Sequence, residues 1–304
     1  MHRRTFGPAQ VVIDMFGTEQ ITLEHLLAVH GAELRTFAEA LMRGDHAIDT
    51  EALLDKLYAL GKFADVTPAL VPMNESGVTT YYLTIDFVDH DDAPARMPFL
   101  PEPSGTYRDP EGLLADWRRY ELMALASPET RRASCPAFHC LGGDRQPGAA
   151  TLTAKFAARV PAHVEELATI LRDDRRALHR AAAASLLAYA KDGPALVKRL
   201  VAAFRDGEAF VRNSAMRVVA DIALYHHDVE VPVEPVLEAL RYPATLDRNK
   251  AAAILDGLLS RPNGARLRRT VAVRAGATLL AMLRLQQPNN HRYAYRILKA
   301  ISGQ

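Results

Sequence analysis

One six-residue interval separates Asp174 from Arg180, Asp206 from Arg212, Tyr242 from Arg248 and Gln286 from Arg292. Three positions after these arginines stand Ala183, Ala215, Ala251 and Tyr295, and six after them Leu186, Val218, Ile254 and Leu298. Columns that recur at fixed offsets require repeated units, and offsets of three and six fall on one side of a helix. A lone helical hairpin cannot bury its apolar face, so successive hairpins must stack. The sequence predicts leading helices at 163–173, 194–205, 233–241 and 274–285, and trailing helices at 177–190, 209–224, 246–259 and 290–302. The small column lets trailing helices approach, and the bulky column fills the interior between them.

The region before residue 90 follows another grammar. Val11 to Phe16 reads as a short strand ended by Gly17. Thr22 is placed to cap a helix carrying Leu23, Leu26, Leu27, Leu34, Phe37 and Leu41. Asp49 or Thr50 caps a second helix, with Leu53, Leu54, Leu57 and Leu60, and Gly61 is expected to end it in a left-handed conformation. Strands follow at 63–71 and 78–88, joined by a turn at Asn74-Glu75-Ser76-Gly77. The expected fold class is therefore a β-α-α-β-β module followed by an all-α helical-repeat solenoid. Its parts are an α+β domain at 10–89, a proline-rich linker at 90–106, a helix plus cysteine-containing loop at 107–150, and about four helical hairpins at 151–304.

Two resemblances accompany this reading. The strand ending in Phe16-Gly17, the helix opening at Ile21-Thr22 and the junction Gly61-Lys62-Phe63-Ala64-Asp65-Val66 resemble a POTRA domain. That likeness implies a protein-binding module that can add a partner's strand to its sheet edge. The Asp/Arg interval resembles HEAT repeats, in which these residues make lateral contacts between successive units. Asp174/Arg180 and Asp206/Arg212 fit the pattern. Tyr242 and Gln286 depart from it before Arg248 and Arg292, so a continuous Asp–Arg ladder is not expected there. The resemblance implies a stacking role for the arginines.

Chemistry is sparse. The only two cysteines, Cys135 and Cys140, flank His139. They fit a disulfide, a reduced structural pair, or two ligands of a zinc site whose remaining ligands are not apparent. His226-His227 suits a helix end better than a metal. No His-Glu dipeptide, no G-x-x-x-x-G-K-[ST] phosphate loop and no G-x-S-x-G elbow occurs. No catalytic residue, cofactor or metal is expected, and the chain reads as a non-enzyme.

Charge is divided. Residues 1–150 hold 13 basic and 22 acidic side chains and residues 151–304 hold 24 and 14, balances of −9 and +10. The two halves either dock on each other or address different partners. Arg266, Arg268, Arg269 and Arg274 form a basic cluster suited to phosphate or an acidic protein. No apolar run reaches the ~20 residues of a transmembrane helix. The expected role is a non-catalytic protein–protein adaptor or scaffold, periplasmic or in the cell envelope if a signal peptide has been removed and otherwise cytoplasmic. The alternative is a nucleic-acid-binding solenoid that uses its basic half.

Overall fold

The structure, a computed structural model, describes residues 10–45, 48–75, 77–125, 135–141 and 148–303. The expectations for Ser76, for most of the loop after Ser127 and for Gly142-Gly143-Asp144 lie outside these. A three-stranded sheet near the N-terminus precedes a mostly helical region. The elements are β1 Gln10–Phe16, α1 Leu23–Met42, α2 Thr50–Tyr58, β2 Phe63–Glu75, β3 Val78–Asp89, α3 Ala93–Arg96, α4 Leu113–Leu125, α5 Ala149–Arg159 and α6 Val164–Asp173. They continue with α7 Ala177–Leu186, α8 Gly193–Ala202, α9 Ala209–Tyr225, α10 Val233–Ala239, α11 Thr245–Ser260, α12 Arg268–Leu283 and α13 Pro288–Ser302. None of the described helices is long and apolar enough to cross a membrane.

The chain divides into two compact units. The first comprises Met1–Pro98, Leu240–Asn249 and Arg269–Gln304, and the second Phe99–Ala239 and Lys250–Arg268. Residues 240–249 and 269–304, read from sequence as part of the repeat array, thus belong to the unit built on the sheet.

In the first unit the strand order is β1-β3-β2, with β1 parallel and β2 antiparallel to β3. Alternation along the strands sends Ile13, Leu83, Ile85 and Phe87 to one face, where they bury with Leu26, Leu34, Phe37, Leu53 and Leu57 of α1 and α2. The Thr22 hydroxyl accepts the His25 N–H and the Asp49 carboxylate accepts the Ala52 N–H, so both helices start on their expected caps. Gly61 does not adopt the expected left-handed conformation, for it is not among the positive-φ glycines. It is needed for space instead: a Cβ there would lie 2.6 Å from the Phe63 ring, which folds into the core against Phe87.

The opposite face carries Asp14, Phe16, Thr84 and Asp86, all buried. Asp14 accepts the backbone N–H groups of Gln286 and Gln287 ahead of α13, at 3.0 and 2.8 Å. Asp86 takes Arg248 from the first turn of α11. Two buried carboxylates on the sheet therefore bind the C-terminal segments of this unit.

The sheet edge at β2 is blunted. Val66 donates its N–H to the Tyr58 hydroxyl, off the sheet, which marks the even-numbered amides of β2 as facing away from β3. Pro68 and Pro72 share that parity and have no N–H to offer an incoming strand.

The segment expected as a linker is structured. His90–Asp92 forms a 3-10 turn and Ala93–Arg96 one helical turn. In the second unit Phe99 to Gly105 forms neither helix nor strand, apart from an isolated parallel bridge between Gly105 and Asp174. The Leu100 N–H donates to Arg205 O at 2.7 Å, the Gly105 N–H to Asp173 O at 3.0 Å, and the Arg175 N–H to Gly105 O at 2.7 Å.

Candidate functional site

The arginine column is a set of buried carbonyl caps. Arg180 Nη1 donates to Asp174 O, Arg212 Nη1 to Asp206 O, and Arg248 Nη1 to Tyr242 O, at 2.7, 2.7 and 3.1 Å. Each guanidinium thus reaches back to the carbonyl six residues before it, which gives the interval its physical cause. The outward side of each fork differs. Arg180 grips Asp206 with Nε and Nη2 at 2.7 and 2.9 Å. Arg212 stacks 3.9 Å over the Phe99 ring. Arg248 holds Asp86. Arg292 is exposed and pairs with Glu75, so the fourth position has none of this. Asp174 turns to Arg176, whose backbone and side chain both bond it. Burial opposes ionisation of that carboxyl, but the Arg176 bonds and nearby His179 outweigh it and bring its pKa to about 2.

The stretch Leu100–Gly105 lies beside the turns that Arg180 and Arg212 cap, bonded to Asp173, Arg175 and Arg205. Gly105 is required there by proximity, since an added Cβ would meet Asp173 O at 2.5 Å and the Tyr107 ring at 2.6 Å. Between this strap, α6 and α8 lies a groove of about 610 Å³. Small side chains keep it open: Ala168 and Thr169 from α6, Ala195 and Ala202 from α8. Leu100, Pro101 and Pro103 form the strap's wall, and Glu165, Arg172, Lys198 and Arg199 stand at the charged positions. Arg199 pairs with Glu165 and Arg172 with Asp173, while Lys198 makes no ion pair among the described residues. Two positions before each capping arginine stands an exposed large apolar side chain: Leu178, Phe210 and Leu246.

Cys135 and Cys140 are joined in a disulfide, so neither sulfur is a thiolate for a metal. Within the closed loop His139 is buried, its Nδ1 2.5 Å from Asp221 Oδ2 on α9. Near Asp221 lies Lys250, whose pKa falls to about 8 because burial penalises the ammonium and Arg217 repels it, against the attraction of Asp221. The Ser185 and Ser214 hydroxyls on α7 and α9 donate to Ala181 O and Phe210 O. Among the described residues no group of three or more His, Cys, Asp or Glu is placed to hold a metal. His226 packs edge-on against Phe138, and His227 Nε2 bonds Leu224 O in the last turn of α9.

The basic cluster is divided between the units: Arg266 and Arg268 lie in the second, Arg269 and Arg274 in the first, all exposed. Arg266 stands 3.9 Å from Glu230.

Sequence reasoning missed three residues. Asp86 and Asp14 sat in strands where their partners lie far along the chain, and no local pattern marks them. Arg261 donates to the carbonyls of Ile222, Ala223, His226 and Val229, closing the C-terminal end of α9. A helix end with open carbonyls needs such a cation, and that was the available signal.

No protein-family model, no curated protein and no solved structure matches this chain.

Proposed function

We propose that this protein is a non-catalytic adaptor that holds an extended segment of a partner protein in the groove between α6 and α8. One observation carries the reading: the edge of this groove already clasps a non-helical stretch of its own chain, Leu100–Gly105, by backbone hydrogen bonds at both ends. A second segment laid in the groove meets a largely apolar floor and the unpaired Lys198. Exposed Leu178 and Phe210 extend the apolar surface of the same unit. The stacked HEAT-like array is the scaffold this reading assumes, with Arg180–Asp206 as its Asp–Arg rung. Strand addition to the POTRA-like sheet fits the β2 edge poorly because of Pro68 and Pro72, so the groove bears the proposal. The disulfide Cys135–Cys140 supports an oxidising compartment such as the periplasm.

The test is site-specific photocrosslinking in cells. A photoreactive residue at Thr169 is expected to give a discrete adduct that Ala202→Trp, which fills the groove, abolishes. The same probe at exposed Val273 on α12 is the control. Equal adducts from both positions, or an adduct indifferent to Ala202→Trp, refute the groove. Recovery of the protein solely from the cytosol refutes the envelope location.

A nucleic-acid role is the second reading, favoured by the exposure of Arg266, Arg268, Arg269 and Arg274. It requires salt-sensitive binding to DNA or RNA, and it fails if no mobility shift appears at low salt.

A further inference from the structure

In the first unit a cavity of about 370 Å³ opens beside the turn that ends β1. Arg96 is the fixed point of its wall. Only 4% of this residue is exposed. Its Nη1 donates to Gly17 O at 2.9 Å and to Phe87 O at 2.5 Å, and its Nε to Arg241 O at 2.9 Å. Gly17 makes room for it: its φ is +94°, and a Cβ there would lie 2.4 Å from Nη1 and 2.6 Å from Nη2. Nη2 itself is buried and has no hydrogen-bond partner. Asp89, which also lines the cavity, has its Oδ1 buried and likewise unpartnered. Buried polar groups are ordinarily satisfied, and a charged one left without a partner is costly. Here one donor and one acceptor are orphaned on residues of the same small cavity.

The remaining lining sorts the ligands. Arg241 reaches the cavity and takes part in no ion pair among the described residues. Glu19 and Asp92 add negative charge, and Thr18 and Thr278 add hydroxyls. A simple anion would face three carboxylates, and a simple cation two guanidinium groups. A molecule bearing both charges satisfies both sides, and the volume is at the small end of ligand sites. We propose that this cavity binds a small zwitterion of the α-amino acid class, its carboxylate toward Arg96 and Arg241 and its ammonium toward Asp89. The site is independent of the groove in the second unit.

The test is isothermal titration of the full chain with glycine, L-alanine, L-glutamate and L-lysine, and with acetate and ethylammonium as single-charge probes, up to about 10 mM. At least one amino acid is expected to bind saturably, with neither single-charge probe matching it. Arg241→Ala and Asp89→Asn should each weaken that binding about tenfold or more, as loss of a charged hydrogen bond does. Thr278→Trp, which fills the cavity from α12, should abolish it with the unfolding midpoint retained. Absence of binding by all four amino acids overturns the proposal. So does acetate or ethylammonium binding as tightly, or binding that persists in Thr278→Trp.

Discussion

Arg248 and Asp86 stand 162 positions apart and form a fully buried two-bond ion pair, Nη1–Oδ1 at 2.5 Å and Nη2–Oδ2 at 3.2 Å. The guanidinium also lies 3.9 Å over the Phe16 ring and donates to Tyr242 O and Pro243 O. Strand β3 thereby supplies the carboxylate that an aspartate at position 286 would have offered in the repeat pattern. Asp14, two residues before Phe16 on β1, meets the backbone at 286 and 287 themselves.

Asp86→Ala strands a buried guanidinium without its counter-charge. Breaking a buried pair on one side costs about 3–5 kcal/mol. Replacing both partners with apolar residues, Asp86→Leu with Arg248→Met, removes both desolvation penalties and should recover part of that loss. Urea unfolding of the two single variants and the double measures the coupling. A double variant as unstable as the sum of the singles would show that the two residues act independently.

The same carboxyl sets a pH dependence. Burial raises the Asp86 pKa to about 6, more than Arg248 lowers it. A folded-state value above the ordinary 3.8 means that protonation favours the fold. Its contribution is complete below about pH 4 and is lost as the pH rises through about 6. Asp174 works in the opposite sense: its contribution is present above about 4 and is lost as the pH falls toward 2. Stability measured from pH 4 to 7 should therefore fall less steeply with rising pH, or rise more steeply, in Asp86→Asn than in the native chain. Parallel profiles would remove Asp86 from the titration.

The sheet, the helices and the positions of the repeated arginines were legible because each leaves a local periodic mark, but the arginines were read as stacking contacts and not as the carbonyl caps that they form. Thr22 and Asp49 cap where their helices begin, and the Arg180, Arg212 and Arg248 column recurs because each side chain reaches a carbonyl six residues back. What could not be read is what joins distant parts. Asp14 and Asp86 look like polar positions on an exposed strand face, and only their partners at 286–287 and 248 make them buried. The groove was equally hidden, because it depends on a proline-rich stretch packing where sequence suggested a free linker. Gly61 is the reverse case. Its place was read correctly, but its cause is the Phe63 ring and not its backbone angle.

Gly105 tests the strap. A methyl group at this position collides with Asp173 O, backbone that cannot swing aside. Gly105→Val should free Leu100–Gly105 from the helix turns while leaving the fold intact. Hydrogen exchange is expected to accelerate at the amides of Leu100, Gly105 and Arg175, with α7 and α9 still protected. Unchanged protection at all three amides would mean that the strap is not held by these bonds.

The disulfide closes a short loop, so its stabilisation by restricting the unfolded chain is small, about 2 kcal/mol. Cys135→Ser with Cys140→Ser should lower the unfolding free energy by roughly that amount. A larger effect follows if the loop also holds His139 against Asp221. His139→Gln in both backgrounds separates the two contributions. Additive losses would show that the bond and the histidine are uncoupled.

Lys250 is half-buried, and Arg217 adds repulsion to the desolvation that brings its pKa to about 8. An amine of that pKa is substantially neutral near pH 8, where ordinary lysines are almost wholly charged. Acylation followed by peptide mass analysis should give Lys250 a pH–rate midpoint near 8, separate from the other lysines. Asp221→Asn removes the attraction that partly supports the ammonium, so the midpoint should move lower still. A midpoint that rises in Asp221→Asn, or that coincides with the other lysines in the native chain, contradicts the arrangement of this cluster.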